Sequence, residues 1–165
     1  MTEDEAKTLL VQSLNFSSDD MNKLKKFEKI LLEYNSRYNL ISKFTEKSIW
    51  SRHILDSAQL IKYISTNSNG VMADFGSGAG FPGLIIAIFN KNPEFHVKLY
   101  EKSPVKRDFL SLVKKNLKID YEIKQNIYDD TISADIIVSR AFKKLDEIIK
   151  ISREKVKKPQ KLIIL

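Results

Sequence analysis

The residues of this chain best able to do chemistry lie in one stretch, Asp74-Phe75-Gly76-Ser77-Gly78-Ala79-Gly80-Phe81-Pro82-Gly83. An apolar run, Val71-Met72-Ala73, leads into an acid. Glycine then recurs at every second position, and a proline opens the next apolar segment. Glycine has no Cβ and tolerates positive φ, so such a turn lets backbone approach a ligand closely. A helix start behind the turn offers unpaired N–H groups and the positive end of a dipole. Four of the five glycines stand here, the fifth being Gly70. The turn is therefore not a by-product of a glycine-rich composition.

Three kinds of ligand compete for this turn. A phosphate loop needs Gly-x-x-x-x-Gly-Lys-Ser/Thr, and no lysine follows the glycines. A dinucleotide fingerprint, Gly-x-Gly-x-x-Gly, fits in letters from Gly78 to Gly83. The Asp/Glu-x-Gly-x-Gly-x-Gly loop of S-adenosylmethionine-dependent methyltransferases fits from Asp74 to Gly80. In dinucleotide folds the first glycine follows its strand directly. Here that glycine is Gly76, and from it the spacing is Gly-x-Gly-x-Gly. A carboxylate at Asp74 favours a sulfonium and disfavours a pyrophosphate. The frame thus favours S-adenosylmethionine, with a dinucleotide oxidoreductase as the alternative. Glu101, at the end of the next apolar run, can take both ribose hydroxyls in either case. Ile127 and Tyr128 can flank an adenine ring, and Arg140 can pair with a cofactor carboxylate or hold substrate. The expected cofactor set from the residues is Asp74, Gly76, Gly78, Gly80, Glu101, Ile127, Tyr128 and Arg140.

The composition narrows the acceptor. Cysteine is absent, so there is no disulfide, no thiolate metal site and no cysteine nucleophile for carbon-5 pyrimidine methylation. No metal site is expected. The Asn/Asp-Pro-Pro-Tyr/Phe element of amino-nitrogen methyltransferases is also missing; Ser139-Arg140-Ala141-Phe142 stands in its place. An acceptor with a free lone pair, such as guanine N7, needs neither device, because positioning and electrostatics suffice. Hydroxyl and small-molecule acceptors stay open on this reading.

These residues need a scaffold that gathers strand ends. Residues 4–14 read as a short helix. Asp19-Asp20 can cap a longer one with Leu24, Phe27, Ile30, Leu31 and Tyr34 on one face. Thr45 fits the cap of a third, carrying Ile49, Trp50, Ile54, Leu55, Ala58 and Ile61. Beyond a polar stretch at 65–70, strands are expected at 71–75, 96–101, 121–124, 134–139 and 161–165. Helices are expected at 82–89, at 104–117 with Val105, Phe109, Leu112 and Val113 inward, and at 144–155. Alternating strands and helices imply a parallel, doubly wound sheet, with ligands at the carboxyl ends of its strands. The expected architecture is α/β, a Rossmann-like domain over 69–165 behind a helical N-terminal region over 1–68.

The net charge is +7. Nine Lys or Arg face three Asp or Glu between Arg140 and Lys161. A localised basic excess suits a polyanion such as nucleic acid, although a solvated lysine-rich helix face explains it equally well. No signal peptide is seen, and no apolar run reaches the ~18 residues of a membrane span.

Several motifs stand together in the order of one family. They are Asn39-Leu40-Ile41-Ser42, Arg52-His53-Ile54-Leu55-Asp56-Ser57, the glycine turn, Lys106-Arg107-Asp108-Phe109-Leu110 and Ser139-Arg140-Ala141-Phe142. From about Asn39 onward the chain resembles the small-subunit ribosomal RNA guanine-N7 methyltransferases, also called glucose-inhibited division protein B. The resemblance implies a class I S-adenosylmethionine-dependent fold. It implies a cytoplasmic, monomeric enzyme that methylates N7 of a guanine in 16S ribosomal RNA, alone or within the small subunit. By position it gives Gly76 and Phe81 to the cofactor loop, Ile127 and Tyr128 to the adenosine part, and Arg140 to binding. Arg52, His53, Lys143 and Lys144 are candidate substrate contacts, and no catalytic residue is assigned. The family pattern continues past the fifth strand with a Lys-Gly element. The expectation is thus a Rossmann-like domain incomplete at its C-terminus, with a non-catalytic RNA-binding remnant as a further alternative.

Overall fold

A computed structural model of the chain describes residues 1–128, 131–157 and 161–165. Five parallel strands form one sheet in the order β3-β2-β1-β4-β5. They are β1 (Gly70–Phe75), β2 (Phe95–Tyr100), β3 (Glu122–Lys124), β4 (Ile136–Ser139) and β5 (Lys161–Ile164). The order reverses between β1 and β4, whose registered ends are Phe75 and Ser139. The Ser139 hydroxyl donates to the Phe75 carbonyl at 3.1 Å and ties these ends together. In an open parallel sheet the crevice beyond that reversal is the place for a ligand.

Helices cover both faces. Those on the first are α1 (Glu3–Leu14), α2 (Ser18–Tyr38), α4 (Gly83–Phe89) and α5 (Pro104–Leu117). They pack with Met72, Val97, Leu99 and Val138 into one buried cluster. Phe27 of α2 joins the two halves of the chain, with ring centroids 5.6 Å from Phe81 and 6.3 Å from Phe109. Leu84, Ile85, Ile86 and Ile88 of α4 are all buried, so this helix is apolar all round and interior. On the second face α6 (Leu145–Lys155) contributes Ile151 to a cluster with Ala73, Phe75, Tyr100 and Ile137.

Local chemistry sets the helix ends, in places differently from the expectation. The Ser17 hydroxyl, not Asp19 or Asp20, caps α2. Asp20 closes a capping box from the third helical position and pairs with Lys91. Thr45 donates its hydroxyl to the Ser42 carbonyl instead of capping a helix. The segment it introduces is irregular: 3₁₀ over Glu46–Ser48, π-helical over Trp50–Leu55, one α turn (α3, Asp56–Ala58), then 3₁₀ over Gln59–Tyr63. Pro82 precedes the first residue of α4 rather than lying inside it. On α5, Val105 and Leu112 face outward and Leu110 and Leu117 take their places beside Phe109 and Val113. Leu110 lies against the glycine turn, where a Cβ on Gly80 would meet its Cδ2 at 3.3 Å.

Candidate functional site

The glycine turn leaves β1 with three left-handed residues, Gly76 at φ 77°, Gly78 at 57° and Gly80 at 96°. Only glycine takes such angles without Cβ strain. A Cβ at Gly76 would meet the Phe142 ring at 2.3 Å, and one at Gly83 would lie 2.4 Å from Leu99 and 2.7 Å from Asp74. At Gly78 the nearest atom would be the Gly76 carbonyl oxygen at 3.9 Å, an ordinary contact, so that position is far less crowded than Gly76 or Gly83.

Two acids hold the turn from within. Glu101 directly follows β2 and accepts the Gly78 N–H at 2.8 Å on Oε2 and the Ser103 N–H at 2.8 Å on Oε1. Each oxygen keeps a lone pair for a second donor. Asp74 is fully buried; its Oδ2 accepts the Gly83 N–H at 2.9 Å, fastening β1 to the start of α4. Its Oδ1 has no hydrogen-bond partner among the described residues. Burial pushes the Asp74 carboxyl up to about 7, with the Gly83 N–H pulling the other way.

A cavity of about 120 Å³ opens beside the turn. Gly76 forms its floor, and Tyr100, Lys102, Ile127, Tyr128, Phe142 and Lys143 contribute to its walls. Ile127 is buried and Tyr128 is 45% exposed, so the cleft is apolar inside and open at the Tyr128 rim. Lys143 closes that rim, ion-paired with Glu147 at 3.0 Å. The enclosed part is smaller than the roughly 300 Å³ of an ordinary ligand pocket. It suits one group of a ligand whose remainder lies along the turn.

A second constellation adjoins it. Arg140, just past β4, lies over the Phe81 ring at 5.0 Å, and His53 stacks on the same ring at 5.0 Å. Arg140 Nη2 donates to His53 Nδ1 at 2.7 Å, and Nη1 reaches the Arg52 carbonyl at 3.4 Å. Arginine can only donate, so His53 is neutral and carries its proton on Nε2. Burial, then the charges of Arg140 and Arg52, lower His53 to about 4. Burial lowers Arg140 too, against the attraction of Asp56 and Asp74.

Of the residues singled out in the sequence, Gly76, Ile127, Tyr128 and Lys143 thus meet at one cavity. Gly78, Gly80 and Glu101 build the turn above it. Asp74 lies beneath, against α4. Phe81, His53, Arg52 and Arg140 form the adjoining stack, and Lys144 stands apart, exposed before α6. Tyr100, Lys102 and Phe142 also line the cavity; Lys102 and Phe142 were legible only as neighbours of Glu101 and Arg140. Among the described residues no cluster of three His, Asp or Glu side chains is suited to a metal ion. No described helix is long and apolar enough to cross a membrane.

The site is consistent with a nucleoside cofactor on three observations: a positive-φ backbone cradle at Gly76, Gly78 and Gly80, a buried acid with spare lone pairs at Glu101, and an orphan buried oxygen on Asp74. The model of a family described as rRNA small subunit methyltransferase G matches residues 20–165. The protein named ribosomal RNA small subunit methyltransferase G in Pelagibacter ubique is 40% identical over 146 residues, covering 85% of this chain and 68% of that protein. Its namesake in Orientia tsutsugamushi strain Ikeda is 37% identical over 153 residues, covering 91% and 74%. Among solved structures, coclaurine N-methyltransferase bound to N-methylheliamine and SAH aligns with a TM-score of 0.61 at 13% identity, over 98% of this chain and 58% of that one. TehB from Haemophilus influenzae aligns with a TM-score of 0.54 at 20% identity, over 73% and 43%. These two share the fold.

Proposed function

We infer the function from one premise: the chain belongs to the rRNA small subunit methyltransferase G family. It is an S-adenosylmethionine-dependent methyltransferase acting on 16S ribosomal RNA, and we propose N7 of a guanine as the acceptor atom. The observation that carries the reading is the turn Gly76–Gly80 held to Glu101 over the Ile127–Tyr128 cavity. We assign Gly76, Gly78, Gly80, Phe81, Glu101, Ile127, Tyr128 and Arg140 to cofactor binding, with Asp74 bracing the turn from below.

When bound, S-adenosylmethionine supplies a methyl group on positively charged sulfur. The residues around it need only hold, orient and exclude water. Glu101 offers its spare lone pairs to the ribose hydroxyls while its other bonds keep Gly78 in place. A ring nitrogen with an in-plane lone pair needs no base. The imidazole beside the turn, His53, supplies none, being committed as an acceptor to Arg140. Arg140 stays charged and, braced by His53 and Phe81, presents its remaining donors to a carboxylate or a phosphate. This reading carries a cytoplasmic, monomeric enzyme with it.

Labelled methyl from S-adenosylmethionine is expected to enter small-subunit ribosomal RNA and to appear as 7-methylguanine after digestion. Gly76→Asp forces a left-handed residue into the Phe142 ring and is expected to lower transfer by about 100-fold or more. A protein that binds the cofactor yet labels no ribosomal RNA overturns the substrate. Label at another atom overturns N7 alone.

A further inference from the structure

We infer that Phe44 and Arg52 form a stacking platform for an unpaired base of the RNA strand entering the site. The inference rests on the ribosomal RNA reading above and adds a contact to it. Phe44 is 80% exposed, the most exposed large apolar side chain among the described residues. Single exposed apolar residues are ordinary on protein surfaces, so exposure alone says nothing. The way this one is held does.

Phe44 sits in a fastened turn. The Thr45 N–H donates to the Ser42 carbonyl at 3.0 Å, and the two hydroxyls meet at 3.0 Å. Buried Asn35 of α2 pins both flanks: its Oδ1 accepts the Ile41 N–H at 2.8 Å, and its Nδ2 donates to Glu46 at 2.6 Å. The ring is thus presented by a rigid turn rather than left on a loose one. The Arg52 guanidinium lies 5.6 Å from its centroid. Arg52 also accepts from Arg140 through its backbone carbonyl. One residue therefore links the exposed ring to the stack beside the cofactor turn.

The surrounding charge selects the occupant. Lys43, Lys47 and Arg52 are exposed; of the nearby acids, Glu46 is engaged by Asn35, and Asp56 interacts with the charges of Arg140 and Arg52. An aromatic face and a guanidinium among cations suit a base with its phosphates rather than an apolar protein surface. Bases stack on either group, and any base has the π-face required.

The test is methyl transfer to small-subunit ribosomal RNA with the wild type and with Phe44→Ala, Phe44→Leu and Phe44→Trp. Phe44→Ala is expected to raise the KM for RNA about 5- to 150-fold, the range one stacked base carries. The affinity for S-adenosylmethionine and the melting temperature stay at wild-type values. Phe44→Trp restores RNA binding and Phe44→Leu does not. An unchanged KM in Phe44→Ala, or rescue by leucine as complete as by tryptophan, overturns the platform. A wild type that binds cofactor but methylates no ribosomal RNA overturns the proposed substrate and the platform with it. An active wild type with an indifferent Phe44→Ala overturns the platform alone.

Discussion

Two titratable residues beside the turn, buried Asp74 and half-buried His53, pull stability in opposite directions with pH. Asp74 titrates near 7 in the fold against an ordinary 3.8. Between those values the native state keeps a proton that the unfolded chain has released. Its contribution is full below about pH 3.8 and is lost as pH rises to 7. His53 titrates near 4 against an ordinary 6.5, so its contribution is full above 6.5 and is lost as pH falls to 4. Over the shared window the two slopes oppose each other. Thermal unfolding across that window is expected to separate them. Asp74→Asn leaves the histidine, so stability climbs more steeply from pH 4 to 6.5. His53→Gln leaves the aspartate, so stability falls as pH rises toward 7. Wild-type profiles in both variants would show that neither group titrates as the fold requires. The acid at 74 was legible as a strand-end carboxylate. Its bond to Gly83 was not, because only the folded β1–α4 corner brings them within reach.

At the scale of elements, the π-helical turn Trp50–Leu55 brings the Arg52 carbonyl and the His53 ring to Arg140 at the end of β4. Such turns recur at functional sites because they reset the register of side chains. Its N-terminal amides have no local cap. The Glu3 carboxylate of α1 takes the N–H of Trp50 at 2.8 Å and that of Ser51 at 3.1 Å, together with the Ser51 hydroxyl at 2.7 Å. Removing an N-cap acceptor commonly costs about 1 kcal/mol. Glu3→Ala, which frees three donors, is expected to cost about 1–2 kcal/mol in denaturant unfolding. Tighter coupling to the site would show as a weaker hold on RNA in the same variant. The periodicity of Ile49, Trp50, Ile54, Leu55 and Ala58 announced a helix here. The irregular turn escaped it, since its cap lies 47 residues earlier in the chain. On α5 the same kind of limit applied: periodicity located the helix, and tertiary packing chose which stripe to bury.

The whole molecule carries a net charge of +7. Contacts with phosphates release counterions, so RNA affinity is expected to fall linearly in log–log form with salt, each phosphate contact adding about 0.7–0.9 to the slope. Cofactor affinity, which we propose rests on the Gly78 turn and Glu101, is expected to stay nearly level over the same range. Calorimetry and filter binding at a series of salt concentrations check both. Equal salt dependence for the two ligands would place the cofactor contacts on the surface. Many of the basic residues between Arg140 and Lys161 lie on or around α6. Lys143 and Lys150 pair with acids one helical turn on. The charge density read from the sequence is therefore partly neutralised on the spot.

The parallel α/β plan, the glycine turn with its acids at 74 and 101, and the family were all legible in the chain. Each of these is written in local spacing: period-two and period-3.6 apolar patterns, glycine where φ turns positive, and charge at strand ends. Tertiary structure alone decided that Glu101 clasps Gly78, that His53 holds Arg140 over Phe81, that Phe142 lies on Gly76, and that Phe44 stands out beside them. Those pairs are separated by up to 87 residues along the chain. Their meeting depends on which strands neighbour each other and on which face each helix buries.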